Sequence, residues 1–235
     1  MCSSDLASRA TLLSLLQDYP KSPYAPQALM GLAVQAGQRG ELQDALGYLE
    51  RVRTDYADAQ NVMPEALLTR ARLLEQNDRW PEALETYRAL PVQHPISEAA
   101  LAAPLEIVNH YARLHDEKAV SEALATAERH YREFVARYPP GPYSVSARDK
   151  LARTLALQKR YNEAVSELVE LGESMSKAPQ GANYLLGAAR MAYKDMNDSR
   201  WAAEILDRTG KLYPNTDVGR WASTEAARLR EATPQ

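Results

Sequence analysis

A spaced pattern of small and large residues recurs along the whole chain and constrains its fold more than any other feature. In the clearest copy, Ala127 is followed by Tyr131, Phe134 and Pro139. The same frame, a small anchor residue with larger residues four and seven positions later, begins at five other anchors: Ser8, Ala45, Ala83, Ala164 and Ala202. Successive anchors are separated by 37, 38, 44, 37 and 38 residues. Because residues four and seven positions apart share one helix face, the pattern predicts repeated pairs of amphipathic helices.

The frame resembles the tetratricopeptide repeat (TPR), a two-helix unit with small residues at the helix contact, an aromatic residue in the second helix and a proline after it. The period here is three or four residues longer. The extra residues lie in Tyr-Pro linkers at 19–24 and 138–143. Such linkers resemble the repeats of bacterial envelope proteins, among them the lipoprotein of the outer-membrane protein assembly machine and the periplasmic partner of the Tol-Pal system. The resemblance implies an all-α, right-handed superhelical solenoid of antiparallel helix pairs without a β-sheet.

The repeat frame predicts a single solenoid from 7 to 235. Its parts are a half repeat at 7–20, five repeats at 21–58, 59–96, 97–140, 141–178 and 179–215, and a polar capping helix at 216–235. The fourth repeat carries a six-residue insertion, expected between Asn109 and Glu122. Pro104 is expected to kink or delay the first helix of that repeat. Trp80 and Tyr161, each three residues before an anchor alanine, are expected to be core aromatics that seal a turn.

The first six residues, MCSSDL, do not fit the frame. They resemble the translation of a common sequencing adapter, so we expect residues 1–6 to be non-native and disordered. The rival interpretation is a mature lipoprotein that starts at Cys2. The first copy of the frame occupies a second-helix position, so we expect a fragment of a longer protein that lacks one helix. That loss predicts self-association through the exposed apolar face of a helix at 7–18. Its apolar residues are Leu12, Leu13, Leu15 and Leu16.

Charge and hydropathy argue against two classes of partner. The net charge is −3 with both signs interspersed, and no basic stripe of the kind that binds nucleic acid is present. No apolar run approaches the roughly 20 residues of a membrane-spanning helix. The one cysteine is Cys2, in the segment expected to be non-native, so cysteine content is compatible with either side of a bacterial inner membrane. We therefore expect neither a nucleic acid partner nor a direct membrane span.

No recognisable catalytic or cofactor motif is present in the sequence. Gly31, Gly37 and Gly40 lack the spacing and the preceding strand of a phosphate-binding loop. The closest pair of histidines is five residues apart, which does not place two metal ligands on one helix face. The four histidines are His94, His110, His115 and His130. The pattern predicts no enzyme activity, no cofactor and no metal site.

The resemblance to TPR proteins implies that the first helix of each pair lines a concave groove. The frame places eleven candidate partner-binding residues there: Met30, Val34, Glu65, Leu68, Arg72, Glu75, Asp149, Arg153, Tyr184, Met191 and Lys194. The Lys and Asn clamp with which chaperone-binding TPR proteins hold a peptide carboxylate is absent. Arg72 and Arg153 occupy equivalent positions of two first helices, so both are expected to face the groove. Their guanidinium groups favour a partner segment that is apolar with some acidic residues.

These features predict a non-catalytic scaffold that binds a protein or peptide segment in its groove. The linkers favour a place in a larger protein of the bacterial periplasm or cell envelope. Two alternatives stay open from the sequence: a cytoplasmic regulatory or secretion-associated TPR module, and the non-catalytic part of an enzyme whose catalytic domain lies in missing sequence.

Overall fold

The computed structural model describes residues 3–232 of the chain, and side chains from residue 7 onward. Twelve α-helices and no strand lie in this part. The helices are α1 Ser3–Asp18, α2 Ala25–Gln38, α3 Leu42–Asp55, α4 Met63–Gln76, α5 Trp80–Gln93, α6 Glu98–Arg113, α7 Glu117–Arg137, α8 Pro142–Leu157, α9 Tyr161–Ser174, α10 Gly181–Lys194, α11 Ser199–Leu212 and α12 Asp217–Ala232. The all-α prediction is confirmed.

The beginning of the chain differs from the expectation. Helix α1 starts at Ser3, four residues before the predicted start at 7. The stretch 3–6, expected to be disordered, is therefore helical, whereas Met1 and Cys2 lie outside the described residues. Most of the apolar face of α1 packs on α2. Leu13 is the one leucine of the four with a largely exposed side chain, at 40% exposure.

The chain forms two compact units: unit 1 extends to Ile107 and unit 2 begins at Val108, within α6. We call the even-numbered helices A helices and the odd-numbered helices B helices. Within each unit, consecutive helices joined by short turns pack on each other as antiparallel pairs, such as α4 with α5 and α10 with α11. The prediction of one continuous solenoid from 7 to 235 stays a prediction.

The repeat frame coincides with the hydrophobic core. Five of the six anchors are fully buried: Ala45, Ala83, Ala127, Ala164 and Ala202. The residues four and seven positions later in these five copies are buried as well, including Tyr87 and Tyr131. Ser8, the sixth anchor, is exposed, and its hydroxyl accepts a hydrogen bond from Gln35 Nε2 (3.1 Å). A small anchor lets two helices approach, and the larger side chains fill the space on either side.

Every turn from an A helix to the next B helix contains one residue in the left-handed conformation. These five residues are Gly40, Asp78, His115, Lys159 and Asn197, with φ between 54° and 76°. The backbone N–H of the following residue then donates back to a carbonyl of the last A-helix turn, as from Arg79 to Leu74 (2.9 Å). This is the usual way to end a helix. Only one of the five is glycine, so the repeat geometry accepts the modest cost of a left-handed non-glycine residue.

The insertion in the fourth repeat lengthens a helix instead of forming a loop. Helix α7 has 21 residues, whereas the other B helices of complete pairs have 14. The added length is about two helical turns. Pro104 lies within α6, which runs from Glu98 to Arg113, so the proline does not delay that helix. Trp80 and Tyr161 are only half-buried and are not core residues, although the ring of Trp80 packs 6.2 Å from that of Tyr87.

Two tyrosines that directly follow a B helix donate a hydrogen bond to a backbone carbonyl at the C-terminal end of the previous B helix. The Tyr56 hydroxyl donates to the Pro20 carbonyl (2.7 Å), and the Tyr213 hydroxyl donates to the Gly172 carbonyl (2.8 Å). The second bond is buried. These contacts bridge residues 36 and 41 positions apart, about one repeat, so they fix neighbouring repeats against each other.

Candidate functional site

The candidate groove residues of unit 1 are mostly engaged within the unit. Leu68 is 3% exposed and belongs to the core around α4 and α5, so it is not available at the surface. Met30 is half-buried against the core of α2 and α3. Glu75 accepts a hydrogen bond from the buried Tyr87 hydroxyl (2.8 Å). Burial and this acceptor together raise the pKa of Tyr87, so the phenol stays protonated. Glu65 and Val34, the latter 42% exposed, remain at the surface.

Arg72 is also satisfied within unit 1. Its Nε lies 3.0 Å from Glu106 Oε1, which joins two consecutive A helices, α4 and α6. This contact places Arg72 on the A-helix side of unit 1. A guanidinium that already pairs with a carboxylate is a weaker attractant for an acidic partner, because the partner would have to displace that carboxylate. The pairing with Glu106 therefore makes Arg72 a weaker candidate for contact with an acidic partner, and its role in partner binding stays a prediction.

The candidate groove residues of unit 2 remain more accessible. Tyr184 and Met191 of α10 are half-buried against the unit 2 core, whereas Asp149 and Arg153 of α8 are exposed. Desolvation raises the pKa of Asp149 and outweighs the lowering effect of the nearby cations Lys150 and Arg153. Burial, followed by the negative charge of Asp149, raises the pKa of Tyr184. Asp149 and Tyr184 therefore interact electrostatically between two successive A helices.

Three cations on the A helices of unit 2 have no hydrogen-bond or ion-pair partner among the described residues. They are Arg153 on α8, and Arg190 and the exposed Lys194 on α10. On the B helices, by contrast, charges form networks. The carboxylate of Glu128 on α7 accepts hydrogen bonds from Arg132 (2.9 Å) and from Arg160 (2.6 Å), which directly precedes α9. Such pairs hold helices together. Asp149 partly compensates Arg153 electrostatically, whereas Arg190 and Lys194 keep N–H donors that a partner can use.

Sequence reasoning missed an apolar groove between α10 and α12. Its volume is about 550 Å³, and residues of α11 also line it. Two exposed aromatic residues line it, Tyr193 at 44% and Trp221 at 54% exposure. The available signal was Trp221, because a tryptophan on an otherwise polar helix has little reason to be solvent-exposed unless it contacts a partner. The repeat frame predicts only a capping role for that helix.

Unit 2 contains further cavities. One of about 580 Å³ lies between α9 and α11 and is rimmed by Glu170, Glu173 and Asp207, with Arg208 close by. Arg208 pairs with Glu173 (2.8 Å), so part of this charge is already compensated. Another, of about 760 Å³, lies between the first turns of α7 and the α8–α9 turn. The added turns of α7 form one of its walls.

The described residues contain no group of three His, Cys, Asp or Glu side chains that could hold a metal ion. His130 is partly buried on α7, and its Nε2 has no hydrogen-bond partner there. Burial lowers the pKa of His130, so the imidazole is neutral at pH 7. No helix in the described part of the chain combines the length and apolar character needed to cross a bilayer.

Comparison with known proteins identifies a fold but no family. No protein-family model and no curated protein matches the sequence. Among solved structures, the TPR-like repeats of a putative kinesin light chain from Podosopora anserina are 20% identical, with a TM-score of 0.50. The match covers 84% of this chain and 99% of that one.

Two further solved structures are less similar in shape. A tetratricopeptide repeat protein from Parabacteroides merdae is 14% identical, with a TM-score of 0.39 over 95% of this chain and 92% of that one. The flexible tandem repeat domain of a bacterial cellulose synthase component is 21% identical, with a TM-score of 0.41 over 97% and 90%. At these identities the likeness concerns the fold alone. The repeated helix pairs and the first of these likenesses establish that the chain has an all-α, TPR-like repeat fold.

Proposed function

We propose that the chain is a non-catalytic protein-interaction scaffold that binds a partner segment on the A-helix side of unit 2. The observation that carries the proposal is the set of three cations that form no salt bridge among the described residues, Arg153, Arg190 and Lys194, on the helices α8 and α10. Helix α10 also carries the half-buried Tyr184 and Met191. Unpaired surface cations contribute little to the stability of a fold, but they attract acidic partners and orient them. Tyrosine and methionine supply adaptable apolar contact area for a partner.

The contrast between the two units supports this location. In unit 1, Glu106 neutralises Arg72 and Leu68 is buried. In unit 2, the equivalent cation Arg153 forms no salt bridge among the described residues, although Asp149 one turn away attracts it electrostatically, and Tyr184 is partly accessible. The partner segment is therefore expected to contact α8 and α10 and to carry carboxylates opposite Arg153.

The cellular setting of the proposal is the bacterial periplasm or cell envelope, within a larger protein. Its support is the resemblance of the Tyr-Pro linkers at 19–24 and 138–143 to those of envelope TPR proteins. Sequencing the complete open reading frame tests it. A signal peptide or lipobox supports the envelope, whereas a reading frame without either contradicts it, and an appended catalytic domain contradicts a purely non-catalytic role.

Site-specific photo-crosslinking tests the binding surface. A photoreactive phenylalanine analogue replaces Tyr184 in one variant and Arg129 in a matched control, because Arg129 is exposed on B helix α7 and has no ion-pair partner among the described residues. We expect one protein to crosslink at Tyr184 and not at Arg129, with mass spectrometry identifying the crosslinked segment. Arg153→Glu should reduce that crosslink, whereas Arg129→Glu should not. Equal crosslinking at both positions, or no response to Arg153→Glu, contradicts the proposal.

A further inference from the structure

We infer that the groove between α10 and α12 binds a single amphipathic helix of a partner protein, about three turns long, with an apolar stripe and an acidic edge. The inference deepens the proposed function and rests on it, since it assigns the partner segment a conformation, a charge and a binding site. This groove lies within unit 2 and does not include Tyr184 or Arg153, but it shares Arg190 and Lys194 with the surface proposed above.

The shape of the groove favours a helix as the occupant. Helix α12 lines it with Trp221, Glu225 and Leu229, which follow one another every four residues. Helix α10 lines it between Asn183 and Lys194 at intervals of three and four residues. Both walls are thus single helical stripes, and residues 183 to 194 span about 16 Å at 1.5 Å per residue. A third helix laid between two such stripes places its own residues i, i+3, i+4 and i+7 against them.

The lining is apolar at the floor and aromatic at the rim. Leu206 of α11 and Leu229 of α12 are almost fully buried and form the floor, and Leu186 of α10 is half-buried. Tyr193 and Trp221 stand on opposite walls and are about half exposed. Large aromatic side chains in a concave apolar site are the residues that contribute most to protein–protein binding. The volume of about 550 Å³ falls within the range of roughly 300–1,000 Å³ that is typical of ligand sites.

The charges of the two walls differ, and this asymmetry orients the occupant. On the α10 wall, Arg190 and Lys194 are one helical turn apart, and neither has an ion-pair partner among the described residues. On the α12 wall, Glu225 accepts a hydrogen bond from Arg228 (2.8 Å), so its charge is compensated. Cations without an ion-pair partner therefore line the α10 edge of the groove, whereas the charge on the α12 edge is compensated. A helix with acidic residues on the edge that faces α10 complements those cations, and a basic helix does not.

Selection from a phage library of 14-residue peptides tests the inference, with the complete 235-residue chain as the target. We expect enriched peptides to carry apolar residues at helical spacing and a net negative charge. Selected peptides are then synthesised with a fluorescent label, and their affinities are measured by fluorescence anisotropy. Trp221→Ala and Arg190→Glu should each weaken binding at least tenfold. Arg129→Glu, the matched charge reversal on α7, should change affinity less than twofold.

Fluorine NMR of protein labelled with 5-fluorotryptophan reports directly on occupation of the groove between α10 and α12. The resonance of Trp221 should shift when peptide is added, whereas that of Trp80 in unit 1 should not. Circular dichroism at 222 nm shows whether each variant keeps its helix content, so a loss of binding can be separated from unfolding. Helix content of the bound peptide is read from isotope-edited infrared spectra, in which a ¹³C-labelled peptide is resolved from the protein.

The outcomes separate the inference from the proposed function. If Arg153→Glu weakens peptide binding but Trp221→Ala does not, the proposed function is supported and binding in the α10–α12 groove is refuted. Peptides that are basic, or bound in an extended conformation, also overturn the inference. A wild-type dimer in light scattering that Trp221→Ala converts to a monomer would show that a second copy of the chain fills the groove, which is contrary to the inference. The absence of any peptide that responds to either surface contradicts both proposals.

Discussion

A close backbone approach in unit 2 joins Gly172 in α9 to Gly181 at the start of α10, and it offers a sharp test of the packing. A Cβ atom added at Gly172 would lie 2.6 Å from Leu185 Cγ and 2.8 Å from the Gly181 carbonyl oxygen. Real Cβ atoms do not approach neighbours this closely. The Gly172 carbonyl also accepts the buried hydrogen bond from Tyr213. Gly172→Ala must therefore displace a side chain and the backbone of the α9–α10 connection.

The expected cost follows from two opposing effects. In a helix, alanine is more favourable than glycine by about 1 kcal/mol. Overpacking a well-packed site costs about 1–3 kcal/mol, and the upper part of that range applies where a backbone atom blocks the new methyl group. The net result for Gly172→Ala is a loss of about 2 kcal/mol in the free energy of unfolding. For a protein of this size, that loss lowers Tm by roughly 4–8 °C.

Gly47→Ala is the matched control for this substitution. Gly47 is exposed in the middle of α3, and a Cβ added there has no atom within 4 Å. This variant should gain up to about 1 kcal/mol from helix propensity alone. Thermal unfolding is followed by circular dichroism at 222 nm and, for unit 2, by fluorescence of Trp201 and Trp221. If Gly172→Ala stabilises the protein as Gly47→Ala does, the close packing of α9 against α10 is refuted.

Three further predictions concern the same unit. Tyr213→Phe should reduce the free energy of unfolding by about 1–3 kcal/mol in urea denaturation, because the Gly172 carbonyl loses its buried donor; an unchanged midpoint would contradict the role of this bond. Ala164→Leu should cost about 1–3 kcal/mol, since the anchor is fully buried, and an unaltered Tm would show that the repeat frame is misassigned. Burial alone would raise the pKa of Glu128, but hydrogen bonds, including that from Arg160, outweigh it and hold the pKa below its ordinary value of 4.5. This carboxylate therefore stabilises the fold above pH 4.5, and the contribution is lost as the pH falls further. Glu128→Gln should flatten the stability profile between pH 5 and pH 3, and an equally steep profile would contradict it.

The sequence by itself determined the repeat architecture. A small residue such as Ala83 or Ala164, followed by large residues after four and seven positions, marks the buried face of a helix wherever the helix lies. Prolines and polar clusters mark the ends. These signals act within one or two turns, so they can be recognised along the chain, and the anchors from Ala45 onward are buried as predicted.

Only the tertiary structure decided which surface residues are available to a partner. Arg72 and Arg153 look equivalent in the repeat frame, yet a carboxylate 34 residues away on α6 pairs with Arg72, whereas no described residue forms a salt bridge with Arg153. The insertion predicted in the fourth repeat became two extra turns of α7. Trp221 and Arg190, 31 positions apart, line one groove because α10 and α12 lie on either side of α11. Helical periodicity assigns each residue to a face of its own helix. The partner across that face comes from another repeat, and the short-range pattern does not specify it.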